Sequence, residues 1–354
     1  QSGLIQIGTP YSAPAIKTAL SMQGDVEVVR SGKELSWWLS YVVAPIHLIA
    51  GAVSADRFKT WIQFSQVDDT VLCTITSGQT DDHVALVAQD VIEGEGLWIQ
   101  FRKELNEGLE QYAARLPHRV MSAAQPEAGW NSWYELWDDV TAVDIMANAR
   151  LVPEILDPLT TQAQRPYRIV VDDGWQIGWG QWRANDGFPG GISVIAQQLI
   201  AEGFKPGIWL APLLVSASAP VVTEHPDWFL PEASFTHLGQ GEMRILDVTH
   251  PGAAQALTES IEGLVDAGFT LLKIDFLFAG TYPSARFESM PAMQAYRRAL
   301  LLIRQAAGES VTILAVGAPP IAGFEFIDSW RLGPDIALEL FDASWFFIPQ
   351  SRIV

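Results

Sequence analysis

Short runs rich in β-branched and aromatic residues alternate with polar breaks along the first third of the chain. Residues 25–29, 59–64 and 71–75 are such runs, bounded by Gly, Ser and Asp at the spacing of an antiparallel sandwich. Residues 106–116 (NEGLEQYAARL) then carry their apolar side chains on one helical stripe, closed by Pro117. A polar stretch at 122–127 reads as linker. From Gly129 the pattern changes. Apolar runs at 129–133, 168–171, 206–211, 270–276, 311–316 and 326–332 alternate with amphipathic segments such as 192–202, 253–267 and 292–307. Strands apolar on both faces, interleaved with one-striped helices, predict a parallel sheet covered on its outer face. Polar residues follow one run after another at its C-terminal end, which is where barrel active sites sit, so a (β/α)8 barrel fits better than a doubly wound sheet. The expected fold is multidomain β plus α/β. A partial N-terminal β-sandwich spans 1–117, a linker 118–127, and a TIM-type barrel 128–354. Six strands are legible where a closed barrel needs eight and ~250 residues. The chain is therefore expected to be truncated at both ends, with the C-terminal barrel strands missing.

Composition narrows the function classes. The 354 residues are 49% hydrophobic and 18% charged, which suits a large core. A net charge of −19 leaves no electrostatic footprint for nucleic acid or an anionic membrane surface. The longest apolar stretch, from Tyr41 to Val53, is broken by Pro45 and His47 and is too short to span a bilayer. The chain opens QSGLIQIG, with no basic segment ahead of an apolar one, which points to the cytoplasm. A single cysteine, Cys73, cannot form an internal disulfide. The six histidines show no HxH or HExxH spacing, so no zinc site is expected. Neither a GxGxxG or P-loop pattern nor a Gly-x-Ser-x-Gly elbow is present. Fourteen Trp is an unusual number, and indole is a common platform for the apolar face of a sugar.

The chemistry gathers at the strand ends. Asn131-Ser132-Trp133 follows the first run, Asp172-Asp173-Gly174-Trp175 the second and Trp209 lies in the third. Lys273-Ile274-Asp275 ends the fourth, and Arg331-Leu332-Gly333-Pro334-Asp335 ends the sixth. In a barrel these converge on one mouth, where carboxylates accept from hydroxyls and Trp covers C–H faces. That set suits a neutral polyhydroxylated ligand. Taken singly, each Asp could equally cap a helix or close a salt bridge; Asp335 before Ile336 has the look of an N-cap. Lys273 and Asp275, two apart on a strand, share a face. The ammonium should lower the pKa of Asp275 and keep it ionised, as a glycosidase nucleophile must be. Asp335, on a turn in a partly closed mouth, suits a proton donor. An acidic mouth could hold Mg²⁺, but Lys273 and Arg331 beside the carboxylates oppose it, so neither metal nor cofactor is expected.

The segments GWNSWYEL, VVDDGWQ, FKPGIWLAP, EHPDWFL, LDVTHP, LLKIDFLFAG and SWRLGPD stand in the order found in α-galactosidases of glycoside hydrolase family 36. The chain resembles that family over roughly residues 100 to 337. The resemblance implies a β-sandwich, a (β/α)8 barrel, and hydrolysis of terminal α-linked galactose with retention, by double displacement. It implies Asp275 as nucleophile and Asp335 as general acid/base. Asp172 and Asp173 would read the galactose hydroxyls around C4 and C6. Trp209, Lys273 and Arg331 would make further sugar contacts, and Trp175 and Trp133 would line the mouth. The implied partner is a galactose-containing oligosaccharide of the melibiose or raffinose type, and a full-length parent is free to oligomerise. Val316 stands where the family often has Cys, and Gln181 where it has an acid. Trp37 and Trp38 are the candidates for the indole that the N-terminal domain sends to the mouth. A galactosyltransferase of the raffinose-synthase type, an α-N-acetylgalactosaminidase, and an inactive carbohydrate-binding fragment are the alternatives.

Overall fold

A computed structural model describes residues 6–8, 34–37, 39–43, 46–67, 70–78, 83–84, 91–117, 127–160, 165–237 and 239–331. The expected strand at 25–29, Trp38, all but the last residue of the linker and Asp335 lie outside these residues.

The N-terminal part contributes β1 (Gln6–Gly8), β2 (Glu34–Trp37), β3 (Leu39–Val43), β4 (His47–Ala52), β5 (Thr60–Val67), β6 (Thr70–Ser77) and β7 (Leu97–Arg102). They form two antiparallel sheets, in the orders β1-β3-β4-β7 and β2-β5-β6. Ala50 and Ile62, one from each sheet, are buried together with Leu48, Cys73 and Ile75 packed around them. The apolar stretch from Tyr41 to Val53 thus becomes paired strands, because alternate residues face opposite sides of the sheet. The opposite face of β4 meets helix α1 (Leu105–Ala113), where Tyr112 is buried and its hydroxyl donates to the Ala52 carbonyl.

The second part is a six-stranded parallel sheet. Its strands are β8 (Gly129–Asn131), β9 (Arg168–Val171), β12 (Lys205–Leu210), β16 (Leu271–Ile274), β17 (Thr312–Val316) and β18 (Ser329–Arg331). They lie side by side in sequence order and all pair parallel. Crossovers carry α2 (Trp133–Leu136) and α3 (Ala142–Leu156), then α4 (Ile192–Ala201), then α5 (Pro220–Glu224) and α6 (Pro251–Asp266), then α7 (Ala292–Ala307). Every residue of β9 and β16 is buried, as two-sided packing requires. Helix α3 starts at a capping box between Thr141 and Asp144, which satisfies orphan N–H groups at its first turn. Arg304 on α7 pairs with Asp328 where both are about 5% exposed, tying the helix to the approach to β18.

Two insertions escaped the sequence pattern. A hairpin of β10 (Gln176–Gly178) and β11 (Gln181–Ala184) follows β9, and a small antiparallel sheet β13-β15-β14 follows β12. Its strands are β13 (Leu214–Ser216), β14 (Phe229–His237) and β15 (Gly241–Leu246). Both lie at the C-terminal end of the parallel strands, where loops are long. Among the described residues no helix is long and apolar enough to cross a membrane.

Candidate active site

The site is built where β8, β9, β12 and β16 end. Two consecutive carboxylates leave β9 buried, Asp172 at 2% exposure and Asp173 at 3%. Asp172 Oδ2 accepts from Lys273 Nζ and from Asn131 Nδ2, each at 2.6 Å. Its backbone N–H donates to Ser132 Oγ at 2.9 Å. Asn131 in turn accepts from the Trp133 N–H at 2.8 Å. The end of β8 is therefore a scaffold that aims an amide and a hydroxyl at Asp172. Asp173 takes the other direction, accepting from the Gly174 N–H, the Gln176 amide and the Trp179 indole. Burial pushes its carboxyl up to about 6, with the charge of Asp172 adding to the effect and the hydrogen bonds opposing it. Gly174 makes the turn at φ +108, and a Cβ there would lie 2.5 Å from the Asp138 carbonyl oxygen.

Asp275 is the first residue past β16. Its N–H donates to the Leu210 carbonyl at 2.9 Å, so the carboxylate leaves the sheet beside the end of β12. Oδ1 accepts from the Phe276 N–H at 2.7 Å and Oδ2 from the Trp209 indole at 3.2 Å. Phe276 holds φ 53, a left-handed conformation that costs a bulky residue free energy and here turns its N–H onto Asp275. Just past the end of β17, a Cβ on Gly317 would lie 3.8 Å from Asp275 Oδ1, so the bare backbone leaves that side of the carboxylate uncrowded. Burial pushes the Asp275 carboxyl up; the charges of Arg331 and Lys273 and the two hydrogen bonds pull against it. This corrects one expectation. Lys273 does not sit on Asp275, because its long side chain reaches across β12 to ion-pair with Asp172. Burial then outweighs the remaining attraction.

The other expected residues divide. Trp209 is buried and reaches Asp275 directly. Arg331 ends β18, opposite Val316, and its charge is the strongest of those acting on Asp275. Trp175 is wholly buried and donates its indole N–H to the Trp209 carbonyl, so it braces the end of β12 from below. Trp133 stands at the start of α2, edge-on to Trp137 at 4.9 Å. Val316 is buried. Trp179 was not anticipated. It packs on Trp209, His237 and Phe276 at ring separations of 5.3, 5.0 and 5.0 Å while holding Asp173, and its place in the hairpin gave no periodic signal. Among the described residues no group of three or more His, Cys, Asp or Glu could hold a metal ion. What the arrangement offers is acceptors at Asp172, Asp173 and Asp275, donors at Lys273 and Arg331, and an aromatic wall.

Comparison with known proteins points the same way. Residues 156–297 match the Melibiase family model. The chain is 25% identical over 175 residues to α-galactosidase AgaA of Geobacillus stearothermophilus, covering 47% of this chain and 23% of that protein. It is 27% identical over 105 residues to α-galactosidase 2 of Pediococcus pentosaceus, covering 27% of this chain and 15% of that protein. Among solved structures, the α-galactosidase TtGalA of Thermus thermophilus, in complex with p-nitrophenyl α-D-galactopyranoside, superposes with a TM-score of 0.70 at 24% identity. That match covers 96% of this chain and 64% of TtGalA. The glycoside hydrolase family 36 enzyme AgaA superposes with a TM-score of 0.64 at 16% identity, covering 86% of this chain and 47% of that one. The chain thus spans under two thirds of the length of these relatives and shares their fold.

Proposed function

We propose that this chain, a relative of the melibiases and of the family 36 α-galactosidases, carries the sugar-reading and nucleophilic part of a retaining α-galactosidase. One observation carries the reading: at one end of the parallel sheet Asp172 is bonded to Asp173 and Lys273, Asp275 is bonded to Trp209, and the two groups stand side by side because Trp209 and Lys273 are partners on neighbouring strands. Asp275 is the nucleophile. Both of its oxygens are already oriented by donors, so attack on an anomeric carbon needs little reorganisation. In the first step a new bond forms from Asp275 to the anomeric carbon while the glycosidic C–O bond breaks. Asp335 gives its proton to the leaving oxygen. In the second step Asp335 takes a proton from water, whose oxygen displaces Asp275, and two inversions give retention. Asp172 and Asp173 accept from the hydroxyls around C4 and C6. Lys273 spends one donor on Asp172 and has two left for sugar oxygens. Trp209, Trp175 and Trp133 form or brace the wall, and Arg331 offsets the charge of Asp275.

Because burial raises the Asp275 pKa, the acid limb of kcat/KM falls above the ordinary carboxylate range. The decisive experiment is Asp275→Gly, assayed with an aryl α-galactoside. Turnover should fall by at least about 10³-fold, more than loss of a single electrostatic donor would cost. Azide should restore activity and give a glycosyl azide of inverted anomeric configuration, since the azide takes the place of the missing carboxylate. Unchanged turnover, or azide without effect on an inactive variant that still binds galactose, sinks the assignment.

A further inference from the structure

Outside the mouth, a cavity of about 590 Å³ lies between the β10–β11 hairpin, the start of α4, the short helix α5 and the flank of α6. That volume falls in the range of small-molecule sites. Its lining mixes chemistries: Trp182 and Gln181 from the hairpin, Arg183 beside them, Glu224 from α5, Ser260 and Gly263 from α6. Trp182 belongs to the indole cluster behind the mouth, 6.3 Å from Trp175 and 6.2 Å from Trp209 between ring centres. Trp175, Trp179 and Trp209 each give their N–H to an acceptor in the protein. Trp182, the member that lines the cavity, gives its N–H to no acceptor among the described residues. The side chains of Gln181, Arg183 and Glu224 likewise make no hydrogen bond or ion pair among the described residues. On α6, a Cβ added at Gly263 would meet nothing within 4 Å, so the helix leaves the space open.

We infer that this cavity is a second saccharide site, taking a neutral sugar unit on the outside of the barrel wall. The partly exposed indole of Trp182 supplies the surface that a pyranose C–H face covers. Amide, guanidinium, carboxylate and hydroxyl groups together match a ligand whose every hydroxyl both donates and accepts. Apolar metabolites would leave those polar groups unpaired, and a strongly charged ligand would meet both signs at once. Trp182 forms the partition between this cavity and the cluster that holds Trp209 against Asp275, so the two sites share one wall.

The test separates this site from the mouth. Binding of raffinose is followed by saturation-transfer NMR in the chain carrying Asp172→Asn and Asp275→Asn, which silences the mouth. Residual binding should remain, and adding Gly263→Phe should weaken it by about tenfold or abolish it. Gly263 is a solvent-facing helical glycine, so a Phe there improves helix propensity while filling the cavity, and circular dichroism checks that the fold is kept. No residual raffinose signal, or a residual signal untouched by Gly263→Phe, overturns the inference. Failure of the mouth assignment looks different: the Asp172→Asn/Asp275→Asn pair would then bind raffinose as the unmodified chain does, with all of the signal sensitive to Gly263→Phe or none of it.

Discussion

Asp173 shows what a buried carboxylate costs the fold. Unfolded, such a group gives up its proton near 3.8; folded, burial beside Asp172 keeps the proton on up to about 6. Between those values the folded state binds more protons than the unfolded one, so stability falls as pH rises. The contribution is present in full below the lower value and lost above the upper. Asn at this position does not titrate. Asp173→Asn should therefore gain stability relative to the unmodified chain between pH 4 and pH 7, by roughly 3 kcal/mol, while losing sugar binding. Urea denaturation at both pH values measures it; a pH-independent difference would show that the carboxyl is not held protonated. The residues of this site were legible to different depths. Asp172, Lys273 and Asp275 stand at strand ends, and strand ends are visible in sequence as the last residues of apolar runs. Which partner Lys273 chooses was not visible, because a two-residue spacing fixes the face of a strand but not the reach of a flexible side chain across its neighbour. Trp179 and Gln176 lay in a hairpin with no period to reveal them.

Elements in the parallel sheet follow the expected runs, with one systematic departure. The runs at 129–133 and 270–276 give strands that stop early, at Asn131 and Ile274, since α2 opens at Trp133 and Phe276 takes a left-handed φ of 53 that turns the chain away. The sixth strand starts late instead, at Ser329, because residues 321–326 form turns. The clasp that precedes it is specific. Arg304 donates to Asp328, to the Phe326 and Val311 carbonyls, and to the Gly308 carbonyl at the end of α7. Asp328 Oδ2 also accepts from the Ile313 N–H at 2.7 Å. Asp328→Ala removes the counter-charge and leaves a buried guanidinium, a change that typically costs ~3–5 kcal/mol. The expected outcome is a lower urea midpoint of about that size. A cost under ~1 kcal/mol would mean that water reaches Arg304 and the pair is no clasp.

At the scale of the whole molecule, 41 acidic side chains face 22 basic ones. Self-repulsion of that excess works against compactness, and salt screens it beyond ~10 Å at 0.1 M. Adding NaCl from a few millimolar to 0.2 M should raise the Tm by roughly 1–2 °C, the effect of about 1 kcal/mol in a chain of this length. A fall would mean that attractive pairs such as Lys205–Glu127 outweigh the net repulsion. The packed indoles have a further consequence. Trp175, Trp179, Trp182 and Trp209 lie within 5.3 to 6.3 Å of a neighbouring ring in the cluster at fixed, non-parallel tilts. Transition dipoles so close and so oriented share their excitation, and a chiral array of this kind gives a paired positive and negative band in circular dichroism. The mouth and the outer cavity therefore carry a common optical signature, and a ligand that turned any one of these rings would change its sign balance or amplitude.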